Sequence, residues 1–584
     1  MSSSAGAGAG TGPADWLLLG ARIWTGSGAE AGSVRSGDAG ALGHGSGSAP
    51  SPAPEPDALA IRRGRIAAVG RSHDVEALRG PDTAVLNLEG RRIVPGFVDA
   101  HVHLQAGGLQ LFRVDLRGAA SPEAFIRRVA DRVRTTPEEG WILGGDWDHH
   151  LWGGELPSRE WLDRAAPGRA VFLHRTDLHM GVASSRALEL AGIRADTPDP
   201  ENGQVDRDPT DGRPTGVLRE AAMEAVARVV PPPTDDERRA AIRAAALHAL
   251  ARGVTQLHDK GALQRADESW RSLATLRALE AEGRLPVRVS ASVPISERGE
   301  LARMVAAEGR GTERLRWGSV KAFVDGSLGS TTAWFHDPYR GKGEERGAPA
   351  TDPGELAEHL AEAAALGLQP IVHAIGDRAT DWILEVFAGI EAAHRNREIR
   401  PRLEHAQHMT PAGIRAAGRG SVICSVQPLH LVDDGRWAGP LLGPEREALS
   451  YPFRSLQAAG ARLAFGSDWT VAPIDPLGNI LAAVTRRIWE PGSGSWGPAW
   501  TPTECISLDS ALRAHTLGAA RAAFLDGDTG SLEVGKLADL AILSADPFPL
   551  PPDEWRDGVR VEMTFVDGAL VYRAEDPWMG GTET

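Results

Sequence analysis

The chain has 584 residues, 42% of them hydrophobic and 24% charged, with a formal net charge of −15. That length buries at least one large core, the composition is that of an ordinary globular enzyme, and the acidic balance argues against nucleic acid or an anionic membrane as partner, since both need a basic face. The two cysteines, Cys424 and Cys505, have no CxxC spacing, so neither a thiolate zinc site nor a disulfide framework is indicated.

Residues 1–14 are Ser/Ala/Gly-rich and predict a disordered tail. Residues 15–25 read as a strand, 26–57 as a low-complexity loop, and 59–61, 65–70 and 84–88 as short strands with glycine punctuation. The run VPGFVDAHVH at 94–103 reads as a buried strand ending in His101 and His103. Alternate residues of a strand share a face, so the two imidazoles project together and suit one metal ion. Residues 105–234 are too long for a strand-to-helix loop and read as a lid or inserted subdomain above the barrel mouth. Beyond them strands and helices alternate. Helices are expected at 235–252, 268–282, 353–366 and 377–395, and strands at 254–258, 287–293, 319–324, 370–373, 401–405, 422–426 and 462–468. This rhythm predicts a parallel sheet with right-handed crossovers, and the number of units favours a closed (β/α) barrel. At 537–543, 561–566 and 569–572, with Asp567-Gly568 as a hairpin turn, the β texture returns, so the two ends are expected to pair. No run approaches the ~18 apolar residues of a membrane span. No basic segment precedes a hydrophobic stretch at the start either, and the expectation is a cytoplasmic protein.

Lys321, His373, His405 and Asp468 each stand at the end of a predicted barrel strand, where barrel enzymes place their chemistry. Singly, each has a bland reading: Lys321 pairs with Asp325, Asp468 caps a turn, a strand-end histidine packs. With His101 and His103, in strand-end order, the six predict a metal centre. Imidazoles and carboxylates suit zinc or a similar divalent ion with an open position for water, whose pKa the metal lowers to about 7. A nearby carboxylate then moves the proton to the leaving group, and Asp468 is the residue chosen for that task. Lysine occurs only at 260, 321, 342 and 536, in a chain with 63 Lys+Arg. A lysine kept at a strand end points to chemistry arginine cannot do, such as reaction of the neutral amine with carbon dioxide to a carbamate.

Several stretches together make the chain resemble the amidohydrolase superfamily and, within it, the amidohydrolase-3 (YtcJ-like) group, which includes N-substituted formamide deformylases. They are PGFVDAHVHL (95–104), VKAFVDGSLGS (320–330), HAIGDRA (373–379), LEHAQH (403–408), GSDW (466–469) and GSLEVGKLADLAIL (530–543), with GGDWDHHLW (144–152), DLHMGVASSRALELAGI (177–193) and PTGVLREAAM (214–223) between them. The resemblance implies an α/β fold: a (β/α)8 TIM-like barrel (94–526), a composite β-sandwich from both termini (15–93 plus 527–584) and a subdomain inserted after the first barrel strand. It implies that His101 and His103 bind one metal and His373 and His405 a second, with Lys321 bridging as N6-carboxylysine and Asp468 on the first metal as base. If Lys321 is not carboxylated, a single-ion site is implied instead. One departure is Ser184 before Ser185, where the group shows Asn-Ser, so a substrate-side hydrogen bond is expected to differ.

Asp325, Asp377, Arg378 and His408 lie near ligands in sequence and are candidates for orienting them; His179 is a substrate candidate from the insertion. Trp147, Trp152, Trp334 and Trp469 lie near motif loops and suggest an apolar or aromatic pocket for a small-molecule substrate. A homodimer is among the assemblies compatible with the chain. The first functional reading is hydrolysis of a carbon–nitrogen bond in an amide-like substrate, an N-substituted formamide or N-acyl amine. Heterocycle or nucleobase deamination is the second reading, weakened because no glutamate follows His373 in the run Ala374-Ile375-Gly376-Asp377. Ester hydrolysis and a non-catalytic binding role on the same barrel are the remaining alternatives, and the second of these conflicts with all six candidates being present.

Overall fold

A computed structural model describes residues 12–28, 55–175, 179–201, 203–262, 265–490 and 495–574. Most of the predicted 1–14 tail and 26–57 loop lies outside the described residues. The chain divides into two units, 1–107 with 242–584, and 108–241.

The first unit contains an eight-stranded parallel sheet. Its strands, numbered in chain order, are β1 (Phe97–Val102), β2 (Val254–Asp259), β3 (Arg288–Pro294), β4 (Leu315–Phe323), β5 (Gln369–Ala374), β6 (Arg402–His405), β7 (Ile423–Val426) and β8 (Arg462–Phe465). Each pairs with the next in parallel. Closure of β8 onto β1 comes from the loop after β8: the Asp468 N–H donates to the His101 carbonyl and the His103 N–H to the Trp469 carbonyl, both at 2.7 Å. The barrel is therefore shut at its C-terminal end by residues of the predicted metal centre. Helices Asp235–Leu250, Ala266–Ala281, Pro353–Ala365 and Asp377–Ala393 stand where the apolar periodicity puts them, within a few residues. Asp352 caps the third of these, accepting from the Glu355 N–H at 3.0 Å.

The run read as one strand at 15–25 splits into Trp16–Leu19 and Arg22–Ile23, which join different sheets. Trp16–Leu19 belongs to a four-stranded sheet with Ala58–Arg62, Arg65–Gly70 and Ala84–Asn87. Arg22–Ile23 opens a five-stranded sheet that runs through Arg92–Pro95, Leu540–Leu543, Val561–Val566 and Ala569–Arg573, and so draws on both ends of the chain. Leu18, Leu59 and Ile61 from the first sheet share one core with Ile23, Ile93, Leu540 and Phe565 from the second. A buried ion pair ties sandwich to barrel. Arg288, the first residue of β3, meets Asp539 at 2.6 Å, with the two side chains 1% and 2% exposed.

The unit 108–241 has its own six-stranded sheet: Gly203–Arg207, Pro214–Glu220, Met180–Ala183, Val171–Arg175, Ile142–Trp147 and Val114–Asp115, in that spatial order. It has two apolar clusters of its own, one around Phe125, Trp147 and Leu173 and another around Phe172, Leu188 and Leu218.

Candidate metal centre

Strand alternation brings His101 and His103 to one face, and both imidazoles meet Asp468: its Oδ1 lies 3.3 Å from His101 Nε2 and 3.3 Å from His103 Nε2. His405 and His430 form a second donor group with the same carboxylate, each offering one atom within 4.8 Å of the others. The His373 ring centroid is 4.5 Å from that of His405, and the His405 centroid 5.0 Å from that of His101. A cavity of about 600 Å³ at this mouth is lined by all six predicted ligands: His101, His103, Lys321, His373, His405 and Asp468.

The imidazole hydrogen bonds decide which nitrogen faces inward. His101 Nδ1 donates to Glu404 (2.5 Å), His103 Nδ1 to the Gly261 carbonyl (3.0 Å) and His405 Nδ1 to Gln427 Oε1 (2.8 Å), which leaves Nε2 of each for an ion. His373 is reversed, with Nε2 on the Gly326 carbonyl at 2.9 Å and Nδ1 left over. Burial holds His101 and His373 well below the ordinary imidazole range and His405 at about 4, so all three are neutral, as metal binding requires. Burial would raise the Asp468 carboxyl, but His101, His103 and His405 hold it well below its usual value. Lys321 is brought down to about 8, chiefly by burial. Neutral imidazoles, an ionised carboxylate and an amine near neutrality form a donor set that fits divalent ions.

Backbone strain supports the geometry. Asp468 (φ 56°), His405 (φ 74°) and Ala406 (φ 45°) lie in the left-handed region, a conformation held only where the surroundings over-determine it. In β6, Arg402 and Glu404 are alternate residues and share the barrel interior. His405, next to Glu404, reaches the mouth because its backbone turns there. Gly466 sits against β1: a Cβ on it would stand 2.5 Å from the His101 N. Gly466→Ala is therefore expected to lower stability by about 1–3 kcal/mol and to reduce metal content, read by denaturant unfolding and metal analysis.

Beneath the ligands lies a polar layer that sequence reasoning missed. Arg402, 1% exposed, donates from Nε to Glu404 (2.8 Å), from Nη1 to His258 Nδ1 (3.0 Å) and from Nη2 to the Ala100 carbonyl (2.6 Å) and Ser425 Oγ (2.9 Å). His430, Trp437 and Gln407 on the cavity wall were missed as well. His430 lies in helix Pro428–Asp434, just after β7, and its strand-exit position was the available signal.

The remaining candidates of the first unit are not on the cavity wall. Asp325 accepts from the backbone N–H groups of Trp334, Ile375 and Gly376 at 2.8–3.0 Å and lies 3.7 Å from His373 Nε2. Asp377 accepts from the His336 N–H, and the Arg378 guanidinium sits 4.5 Å from the centre of the Trp334 ring. His408 Nδ1 is on Ser450 Oγ at 2.8 Å. Trp469 is buried and stacks on His248 at 5.2 Å. The expected aromatic lining is thus supplied by Trp437 and Phe323 rather than by Trp334 and Trp469. In the inserted unit Trp147 is a core residue, Trp152 packs at the edge of the same core, and exposed His179 lies 3.1 Å from Glu220. Ser184, the departure seen in the sequence, has a local role. Fully buried, it accepts from Val171 N–H and Ala187 N–H and donates to the Arg169 carbonyl, so its hydroxyl caps helix Ser185–Leu190 and is not available to a substrate.

Residues 84–572 match the model of the amidohydrolase family. The chain belongs to that family. Protein LONG AFTER FAR-RED 3 of Arabidopsis thaliana is 42% identical over 88% of each chain. An N-substituted formamide deformylase of Arthrobacter pascens is 30% identical, over 88% of this chain and 94% of its own. Among solved structures, an uncharacterized metal-dependent hydrolase from Pyrococcus furiosus is 29% identical with a TM-score of 0.71, covering 91% of this amidohydrolase and 99% of its own chain. Metal-dependent hydrolysis is the chemistry of this family, and the donor set at the mouth is consistent with it. No helix among the described residues is long and apolar enough to cross a membrane.

Proposed function

We propose that this amidohydrolase cleaves the carbon–nitrogen bond of an amide-like substrate, an N-substituted formamide or a small N-acyl amine. The observation that carries the reading is the convergence of all six ligand-type side chains on one cavity whose other walls include Phe323, Leu328, Ile375, Leu429 and Trp437. His101, His103 and Asp468 would hold one divalent ion, and His373 and His405 a second, with Lys321 between them as a carbamate; zinc suits these donors. Bound there, such ions supply Lewis acidity that makes water a nucleophile near neutral pH. Asp468, ionised against its burial, takes the proton of the attacking water and delivers it to the departing nitrogen as the C–O bond forms and the C–N bond breaks. The apolar wall receives the acyl or amine substituent. The similarity to the Arthrobacter pascens deformylase favours a formyl group over larger acyl groups.

The test is a panel of N-substituted formamides, N-acyl amines, esters and amino-heterocycles offered to metal-loaded protein. Formate and amine release from the formamides is the expected result. Ammonia release from the heterocycles alone, or turnover of esters alone, overturns it. The carbamate has its own test. Lys321→Arg keeps a cation of similar length but cannot be carboxylated. That variant is expected to lose most of its bound metal by elemental analysis, and full occupancy would remove the bridge.

A further inference from the structure

A second cavity, of about 300 Å³, lies at the opposite end of the barrel, where the chain enters β4 and β5. Arg310, Arg316 and Arg397 line it, with Trp317 and Phe524 among its apolar walls. Among the described residues none of the three arginines sits in an ion pair. Arg310 donates to the carbonyls of Gly318 (3.4 Å) and Gly367 (2.5 Å), and Arg397 to that of Ala364 (3.2 Å). The carboxylate on the cavity wall, Glu398, is committed to Arg400 at 2.9 Å and Arg521 at 3.0 Å.

Two glycines make room for this cluster. A Cβ on Gly318 (φ +125°) would stand 2.2 Å from Arg310 Nη1. A Cβ on Gly367 (φ +83°) would stand 3.0 Å from Arg397 Nη1 and 3.6 Å from Arg310 Nη2, so two guanidinium groups converge on that point. Burial, with the charges of Arg316 and Arg397, draws Arg310 below its ordinary value. An anion between the three would relieve that repulsion. Guanidinium forks match the oxygens of a phosphoryl group, which can engage several donors at once.

We propose that this cavity is an anion site that receives an aromatic phosphate monoester, with the phosphoryl group on Arg310, Arg316 and Arg397 and the ring against Trp317 and Phe524. The site is separate from the metal centre and does not rest on the hydrolase reading.

Calorimetric titration of the metal-loaded full chain with phenyl phosphate and with inorganic phosphate tests it. Saturable binding of phenyl phosphate is expected, at least roughly tenfold tighter than inorganic phosphate. The double variant Arg316→Gln/Arg397→Gln is expected to weaken it by at least about tenfold, with metal content and unliganded melting temperature unchanged. If that variant does not fold, Arg397→Glu at its exposed position gives the same reading. Arg395→Gln, an exposed arginine outside the cavity, should bind as the parent does. Absence of saturation overturns the proposal, as does undiminished binding in the arginine variants, which would place the anion on the metal centre. Equal affinity for the two probes overturns the ester assignment in favour of free phosphate.

Discussion

Asp468→Asn is expected to lower turnover by roughly 10²- to 10⁴-fold, the usual worth of a positioned proton-transfer group, while the protein keeps its fold and its metal. Asparagine has the volume of aspartate and tolerates the left-handed backbone (φ 56°) found at this position. The main-chain bond to the His101 carbonyl is untouched by the exchange. What is lost is the charge that His101, His103 and His405 hold ionised against burial. Steady-state kinetics and elemental analysis on the same preparation make the check. Undiminished turnover removes Asp468 from proton transfer, whereas loss of metal together with activity would make it chiefly a ligand.

Glu404→Ala is expected to destabilise the protein by about 3–5 kcal/mol, because it strands the Arg402 guanidinium in a dry environment. Glu404 is fully buried, accepts from His101 Nδ1 at 2.5 Å and from Arg402 Nε at 2.8 Å, and so couples a candidate ligand to the layer beneath it. Metal affinity should fall about 10- to 100-fold as the His101 ring loses its fixed orientation. Burial opposes ionisation of Glu404, but Arg402, Lys260 and His101 keep its carboxyl well below the ordinary value. Its stabilisation is therefore complete at neutral pH and fades only as pH falls beneath the normal carboxylate range. Urea unfolding of parent and variant at pH 7, with metal titration of each, measures both effects. A variant as stable as the parent would mean that Arg402 finds another partner.

The barrel was legible because its strands carry unbroken apolar runs and its helices carry periodic stripes, and every predicted barrel strand is present within a few residues. The HxH pair was legible for the same reason, since period-two alternation is a local rule. Glu404 was not. Alternation assigns neighbours to opposite faces, and the left-handed turn at His405 lets Glu404 face the barrel interior while His405 reaches the mouth. Arg402 and His258 looked like ordinary strand residues because they bond each other across strands and Arg402 also reaches the Ala100 carbonyl, 302 positions away. The tryptophans misled for a related reason. Proximity to a motif in sequence says little about where a ring points, and Trp469 contributes its carbonyl to barrel closure while its indole packs on His248. The break between Trp16–Leu19 and Arg22–Ile23 was hidden because one apolar run serves two sheets.

The sheet shared by the two ends of the chain sets an order of events during synthesis. Arg92–Pro95 takes Leu540–Leu543 as one of its two neighbours and leads directly into β1. As the polypeptide leaves the ribosome, that segment has an open edge until residues 540–543 have been translated. An unpaired edge is a template for pairing with other molecules. That edge, on the strand that leads into His101 and His103, therefore stays exposed while the rest of the barrel is being built.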